Sequence, residues 1–223
     1  MHATTFSPAG YVWCKMIINK DIDYKLLKNT FRKRNINVLF CETFDESKEI
    51  VLDRIPRKST VGIGHSQTLQ NMRITETLIE RGNTVFDKVL GKDRAETTQL
   101  KKKALLADYY ITGSNAVSED GGIVNIDHSG NRAAALAFGP DKVIIIVGKN
   151  KITKTKQEAV SRAKNMAAIK NAERAGYTPP CVIEGKCVDC ISPERVCNVQ
   201  SIIEGQQFDD RITLIIVNAE DGF

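Results

Sequence analysis

Residues 142–147 read Lys-Val-Ile-Ile-Ile-Val, and residues 214–217 read Leu-Ile-Ile-Val. In both runs odd and even positions alike are apolar, so a strand built from either must be covered on its two faces. A sheet covered on both faces by helices is a three-layer α/β architecture with mostly parallel strands. Working outward, the same alternation continues. Residues 37–42 (NVLFCE), 60–63, 84–86, 108–113 (DYYITG) and 122–127 (GIVNID) read as strands, as do the closing runs 198–203 and 212–217. Between them helical spacing recurs. Asp21 is placed to cap a helix running to about residue 33, with Ile22, Leu26, Leu27 and Phe31 on one side. Thr43 or Asp45 opens a second helix ahead of Pro56. Residues 67–81 are helical in one or two pieces, 93–107 in one, a short helix starts at Asn131, and a long one spans 155–175 before Gly176, a suitable C-terminal glycine.

The chain has 223 residues, 42% hydrophobic and 26% charged, which suits a medium globular domain and excludes a disordered or fibrous chain. No apolar run approaches the roughly 20 residues of a membrane span, so no membrane association is expected. Lys plus Arg at 32 against Asp plus Glu at 27 gives 32 − 27 = +5, spread along the chain and barely interleaved with aromatics. Nucleic acid is therefore not an expected partner. The first residues lack a basic start, an uninterrupted apolar stretch and a small-residue cleavage site, which points to the cytoplasm. Residues 1–19 read as an extension ahead of the body at 20–223. Trp13 in that extension can anchor it to the body or to a second chain, so an oligomer stays open.

Residues 61–68, Val-Gly-Ile-Gly-His-Ser-Gln-Thr, follow a strand and lead into a helix. Gly62 and Gly64 let backbone turn sharply and approach a ligand, while Ser66 and Thr68 can help to hold a phosphate or a small carboxylate. The alternative is a tight turn capped by Ser66. His65 inside the loop is a candidate acid or base near neutral pH, or a satisfied turn histidine. Residues 111–140 are rich in glycine and small polar residues between two apolar strands, as loops around a pocket at strand ends are. Within them Gly113, Asn131 and Arg132 are candidate ligand contacts, Arg132 as partner of an anion. Glu119 is a candidate nucleophile or general base, or merely the start of a hairpin turn at Glu119-Asp120-Gly121-Gly122. Lys101, Lys102 and Lys103 cannot share one helix face and read as solvated surface.

Four of the six cysteines fall within the 17 positions from Cys181 to Cys197, spaced Cys181-x5-Cys187-x2-Cys190-x6-Cys197 among Pro179, Pro180, Gly185 and Pro193. Such composition opposes regular structure and marks residues 178–197 as a loop inserted between sheet elements. A C-x2-C pair seats two thiolates on one metal without strain, so Cys181, Cys187, Cys190 and Cys197 are candidate ligands of a [4Fe-4S] cluster or of a tetrahedral zinc. Spacing does not choose between these, and unliganded thiols or a redox pair are the alternative. Cys14 and Cys41, outside the cluster, read as small structural residues.

Four blocks, GIGHSQTL (62–69), ADYYITGSNAVSEDGGIVNIDHSGNR (107–132), AFGPDKVIIIVGKNKI (137–152) and GKCVDCISPERVC (185–197), resemble the LUD-domain family of lactate-utilisation proteins, in the family's order over about residues 20–220. The resemblance implies the NagB/RpiA/CoA-transferase-like α/β fold. It also implies a part in oxidising lactate or a related hydroxy acid, beside iron–sulfur partner proteins, with Gly62, Gly64, Ser66 and Thr68 matching the superfamily's phosphate- or acyl-carrier-binding loop. The other reading is a non-catalytic partner of an iron–sulfur oxidoreductase whose cysteine loop is stapled by zinc. A CoA transferase or sugar-phosphate isomerase follows from fold analogy alone.

Overall fold

The computed structural model describes residues 22–223. The expectations for residues 1–19, His2, Trp13, Cys14 and an Asp21 cap lie outside these residues. Among the described residues the strands are, in chain order, β1 (Ile36–Cys41), β2 (Thr60–Ile63), β3 (Thr84–Asp87), β4 (Tyr109–Thr112), β5 (Ala116–Ser118), β6 (Gly122–Asp127), β7 (Lys142–Gly148), β8 (Ile152–Thr153), β9 (Val199–Ile203) and β10 (Ile212–Val217). The helices are α1 (Tyr24–Arg32), α2 (Phe44–Arg54), α3 (Gln67–Asn71), α4 (Ile74–Glu80), α5 (Arg94–Ala104), α6 (Asn131–Ala137), α7 (Lys156–Arg162), α8 (Ala168–Arg174) and α9 (Pro180–Glu184).

Six strands form a wholly parallel sheet in the order β1-β10-β7-β4-β2-β3. Its central pair explains the double-parity apolar runs. In β7, Val143, Ile145 and Val147 face one core, together with Leu27 and Phe31 of α1 and Leu136 of α6. Ile144 and Ile146 face the other, with Val51 of α2, Leu69 of α3, and Ile74 and Leu78 of α4. Parallel register sets Ile145 beside Leu214 and Val147 beside Ile216, so both strands feed both cores. Each such side chain contributes about 1.5–3 kcal/mol by leaving water, so covering both faces is what holds the three layers together.

A second sheet, β8-β5-β6-β9, was not anticipated. β5 and β6 form an antiparallel hairpin, and its alternation divides cleanly. Val117 and Ile123 join the core around α1, whereas Ala116, Val124 and Ile126 pack under Ala159, Ala163 and Ala168. Those alanines belong to the long helix expected at 155–175. Thr155 opens it with a reciprocal capping box to Glu158, and Gly176 closes it at φ +73°. The helix runs without a break from residue 156 to residue 174, with residues 163–167 forming a π turn between its α-helical parts α7 and α8. Helix starts elsewhere follow the same chemistry: Thr43 and Asp93 accept from the backbone N–H groups of Glu46 and Glu96.

Two local expectations are corrected. The first helix is capped by Asp23, whose Oδ1 accepts from Leu26 N at 2.8 Å, and its buried stripe is Tyr24, Leu27 and Phe31 while Leu26 faces solvent. The cysteine segment does hold regular structure: Pro180 at the first turn starts α9, which ends at Gly185 with φ +67°. No helix among the described residues is long and apolar enough to cross a membrane.

Candidate functional site

In a parallel sheet the loops leaving the carboxyl ends of the strands gather on one edge. Here those loops are 64–66 after β2, Lys88 after β3, 113–115 after β4, 149–151 after β7 and 218–223 after β10. Together with α6, α8 and the first turns of α5 they enclose a cleft of about 740 Å³. Its lining carries Lys88, Arg94, Lys101, Arg132, Lys151 and Arg174 against a single side-chain carboxylate, Asp127.

That carboxylate is already committed. Asp127 Oδ1 accepts from Arg132 Nε at 2.9 Å, and its Oδ2 accepts from Ala133 N at 2.6 Å. Arg132 NH2 also donates to Asn115 Oδ1 at 2.8 Å and to the Ile126 carbonyl at 2.9 Å. Asn115 Oδ1 in turn accepts from Ile126 N at 2.8 Å, so β4, β6 and α6 are locked around one guanidinium. The field left over is positive. His65 is held down to about 4, first by burial and then by Lys88, Arg174, Arg132 and Lys101. Burial, Lys101 and Arg174 also lower Lys88, and burial with Arg132 lowers Arg174. Lys151 is lowered to about 8 by burial, then by Arg162, while Asp221 opposes the shift. A cavity whose own cations depress one another is arranged for an anion.

Of the residues expected at the site, His65, Ser66, Gly113, Asn131 and Arg132 line this cleft. His65 Nδ1 lies 3.3 Å from Gln70 Nε2. Ser66 stands at the N-cap of α3 without a side-chain cap bond, so its hydroxyl is not spent on the turn.

Three expected contacts do not line it. A Cβ on Gly62 would sit 2.7 Å from the Ala104 carbonyl oxygen and 2.8 Å from Tyr110 Cδ2, so this glycine admits α5 onto the sheet. Gly64 is pressed against the Thr112 side chain, and Thr68 is fully buried beneath Gly222. Glu119 is also outside the lining. It is buried at the β5–β6 turn, where Oε1 accepts from Lys154 Nζ at 2.8 Å and from Asp23 N at 3.3 Å.

The sequence reading missed Lys88, Lys151, Arg174, Asn115 and Asp127, and it sent Lys101 to the solvated surface. Lys88 follows the end of β3 directly and Lys151 closes the three-residue turn after β7, positions that mark them in retrospect; Arg174 and Lys101 reach the cleft from distant helices.

Cys181, Cys187, Cys190 and Cys197 line one smaller cavity of about 150 Å³, together with Lys164 and Arg195. Burial and then the neighbouring thiols of Cys190, Cys197 and Cys187 push the Cys181 thiol up, which reflects their proximity. Arg195 holds the segment's shape, donating to the Cys190 carbonyl at 2.7 Å and the Cys197 carbonyl at 3.3 Å. Cys187 N donates to Asn165 Oδ1 of the π turn at 3.0 Å. The donor set, four soft sulfurs beside two cations, fits an anionic thiolate centre. Among the described residues, however, no group of three or more His, Cys, Asp or Glu stands ready to hold a metal ion. Ile126 and Asn198 belong to the walls of both cavities, so the two are neighbours.

A family model of the LUD domain matches residues 24–217. Among solved structures, the chain is similar to a DUF162 family protein from Deinococcus radiodurans, at 16% identity and a TM-score of 0.48, over 87% of this chain and 95% of that one. No curated protein matches.

Proposed function

The chain belongs to the LUD domain family, and from that membership we propose that its cleft binds a small carboxylate or phosphorylated ligand as one component of lactate or related hydroxy-acid oxidation in the cytoplasm. The carrying observation is the side-chain charge count of the cleft: six cations, with the one side-chain carboxylate bound to Arg132. Arg132, fixed by three acceptors, is the orienting anion partner, and Ser66 and Gly113, packed against each other, line the same cleft. His65, neutral at physiological pH, is available to accept a proton from a bound hydroxyl group.

In this reading Cys181, Cys187, Cys190 and Cys197 hold a metal centre next to the cleft, a [4Fe-4S] cluster or zinc. A cluster would supply one-electron transfer, zinc a structural staple. Two measurements test the proposal. Titration calorimetry with inorganic phosphate, lactate and pyruvate should give saturable binding that Arg132→Gln weakens; no binding of any anion overturns it. Anaerobic reconstitution with iron and sulfide should give a brown protein whose colour is lost in Cys187→Ser and Cys190→Ser. Stoichiometric zinc without iron would replace the cluster by the staple.

A second reading, a non-catalytic partner of an iron–sulfur oxidoreductase, is favoured by the exposed apolar Ile183, Val188 and Ile191 in the cysteine segment. Under it, hydroxy-acid turnover appears only with the partner present and is indifferent to Glu119→Gln.

A further inference from the structure

Lys151 is the feature that anion binding does not explain by itself. It ends the short turn that follows β7, is 3% exposed, and still lines the cleft. Among the described residues its ammonium donates no hydrogen bond and makes no ion pair. The charged groups that act on it are Arg162 of α7 and Arg132 of α6, which repel a proton there, and Asp221, which attracts one. Asp221 is otherwise engaged, since its Oδ1 accepts from Asn71 Nδ2 at 2.8 Å. The C-terminal segment passes close to the amine at Gly222, where a Cβ would lie 3.1 Å from Nζ. A buried, unpartnered amine between two guanidinium-bearing helices is an environment in which an appreciable fraction is the free base at neutral pH.

We propose that Lys151 is a nucleophilic amine that forms a reversible imine with the carbonyl group of an anionic aldehyde or ketone bound in the cleft. This deepens the reading of the cleft as an anion site by naming the ligand as an oxo compound. In the step, the Nζ lone pair forms a C–N bond to the carbonyl carbon while the C=O π pair moves to oxygen. A proton passes from nitrogen to that oxygen, giving a carbinolamine. Protonation of its hydroxyl and loss of water leave the C=N iminium, with no net oxidation or reduction. The remaining cations, Arg132 foremost, hold the ligand's carboxylate or phosphate.

The test uses the full-length protein and pyridoxal phosphate, an aldehyde that carries a phosphate, with borohydride reduction and peptide mapping. Lys151 should be modified at least about ten-fold faster than any other lysine, as its lowered proton affinity implies. Inorganic phosphate should protect it, and pyridoxal without phosphate should label it more slowly. Lys151→Arg, which retains the positive charge, should lose the adduct while phosphate binding stays measurable; Lys151→Met, the second variant if the arginine does not fit, should lose the adduct and bind phosphate more weakly. Modification spread over surface lysines with Lys151 bare overturns the imine, and calorimetric phosphate binding in the same sample then shows that the anion site itself stands. Labelling of Lys151 that phosphate neither protects nor accelerates keeps the amine and removes the anion site.

Discussion

Asp127 and Arg132 form a buried ion pair across the turn between β6 and α6, with 2.8 Å between Arg132 NH2 and Asp127 Oδ1 and side chains only 9% and 13% exposed. Removing one partner leaves the other charged and largely buried, which ordinarily costs about 3–5 kcal/mol. Asp127→Asn should therefore destabilise the fold by roughly 3 kcal/mol in urea denaturation. Phosphate affinity should fall as well, because the guanidinium loses its orientation. An unchanged unfolding midpoint would show that the pair is incidental.

The cations of the cleft and His65 are one electrostatic unit. Lys88→Gln removes the charge that, after burial, does most to hold His65 down, so the His65 titration followed by NMR should move upward from about 4. The same variant should weaken phosphate binding by about ten-fold, or roughly 1.4 kcal/mol. A His65 titration insensitive to Lys88 would mean that burial alone sets it.

Acid should act on the fold through His65. Its folded-state pKa of about 4 lies below the ordinary 6.5, so the unfolded chain takes up the proton first. The neutral imidazole's contribution is complete above about pH 6.5 and is lost as pH falls through the window down to about 4. His65→Gln should flatten the stability profile in that window, as read by denaturation midpoints at successive pH values. A bound anion should narrow the window by raising the His65 pKa.

Gly62 separates packing from binding. Gly62→Ala forces a methyl group against the Ala104 carbonyl and the Tyr110 ring, which should cost about 1–3 kcal/mol. The phosphate dissociation constant of the folded fraction should stay unchanged. A selective loss of binding would return this glycine to the ligand site.

The architecture was legible because burial on both faces leaves a mark on the sequence itself. Val143 to Val147 are apolar at every position, and capping residues such as Thr43, Asp93 and Thr155 announce helix starts locally. The small sheet was harder to see. β5 is three residues long, and the outer strands β8, paired with β5, and β9, paired with β6, lie far along the chain, so no local period reveals the sheet. The cleft was half legible. The loop holding His65 and Ser66 and the segment holding Gly113, Asn131 and Arg132 stand out as glycine-rich punctuation at strand ends. Lys88, Lys101, Lys151 and Arg174 look like any surface cation, and only the fold reveals that they face one another. Gly62 and Glu119 show the reverse failure. A helix contact at Gly62, and the Lys154 contact at Glu119, gave chemically suggestive residues a place outside the cleft.

The sandwiching of the small sheet, with Val117 and Ile123 turned to one core and Ala116 and Val124 to another, decides what can be cut from this molecule. The lobe bearing the four sulfurs is no detachable cassette. Excised, it would bare the greasy underside of its hairpin, and the remainder would gape where that hairpin had plugged it. Any graft of the thiol-rich segment onto another scaffold must therefore bring along a matching floor.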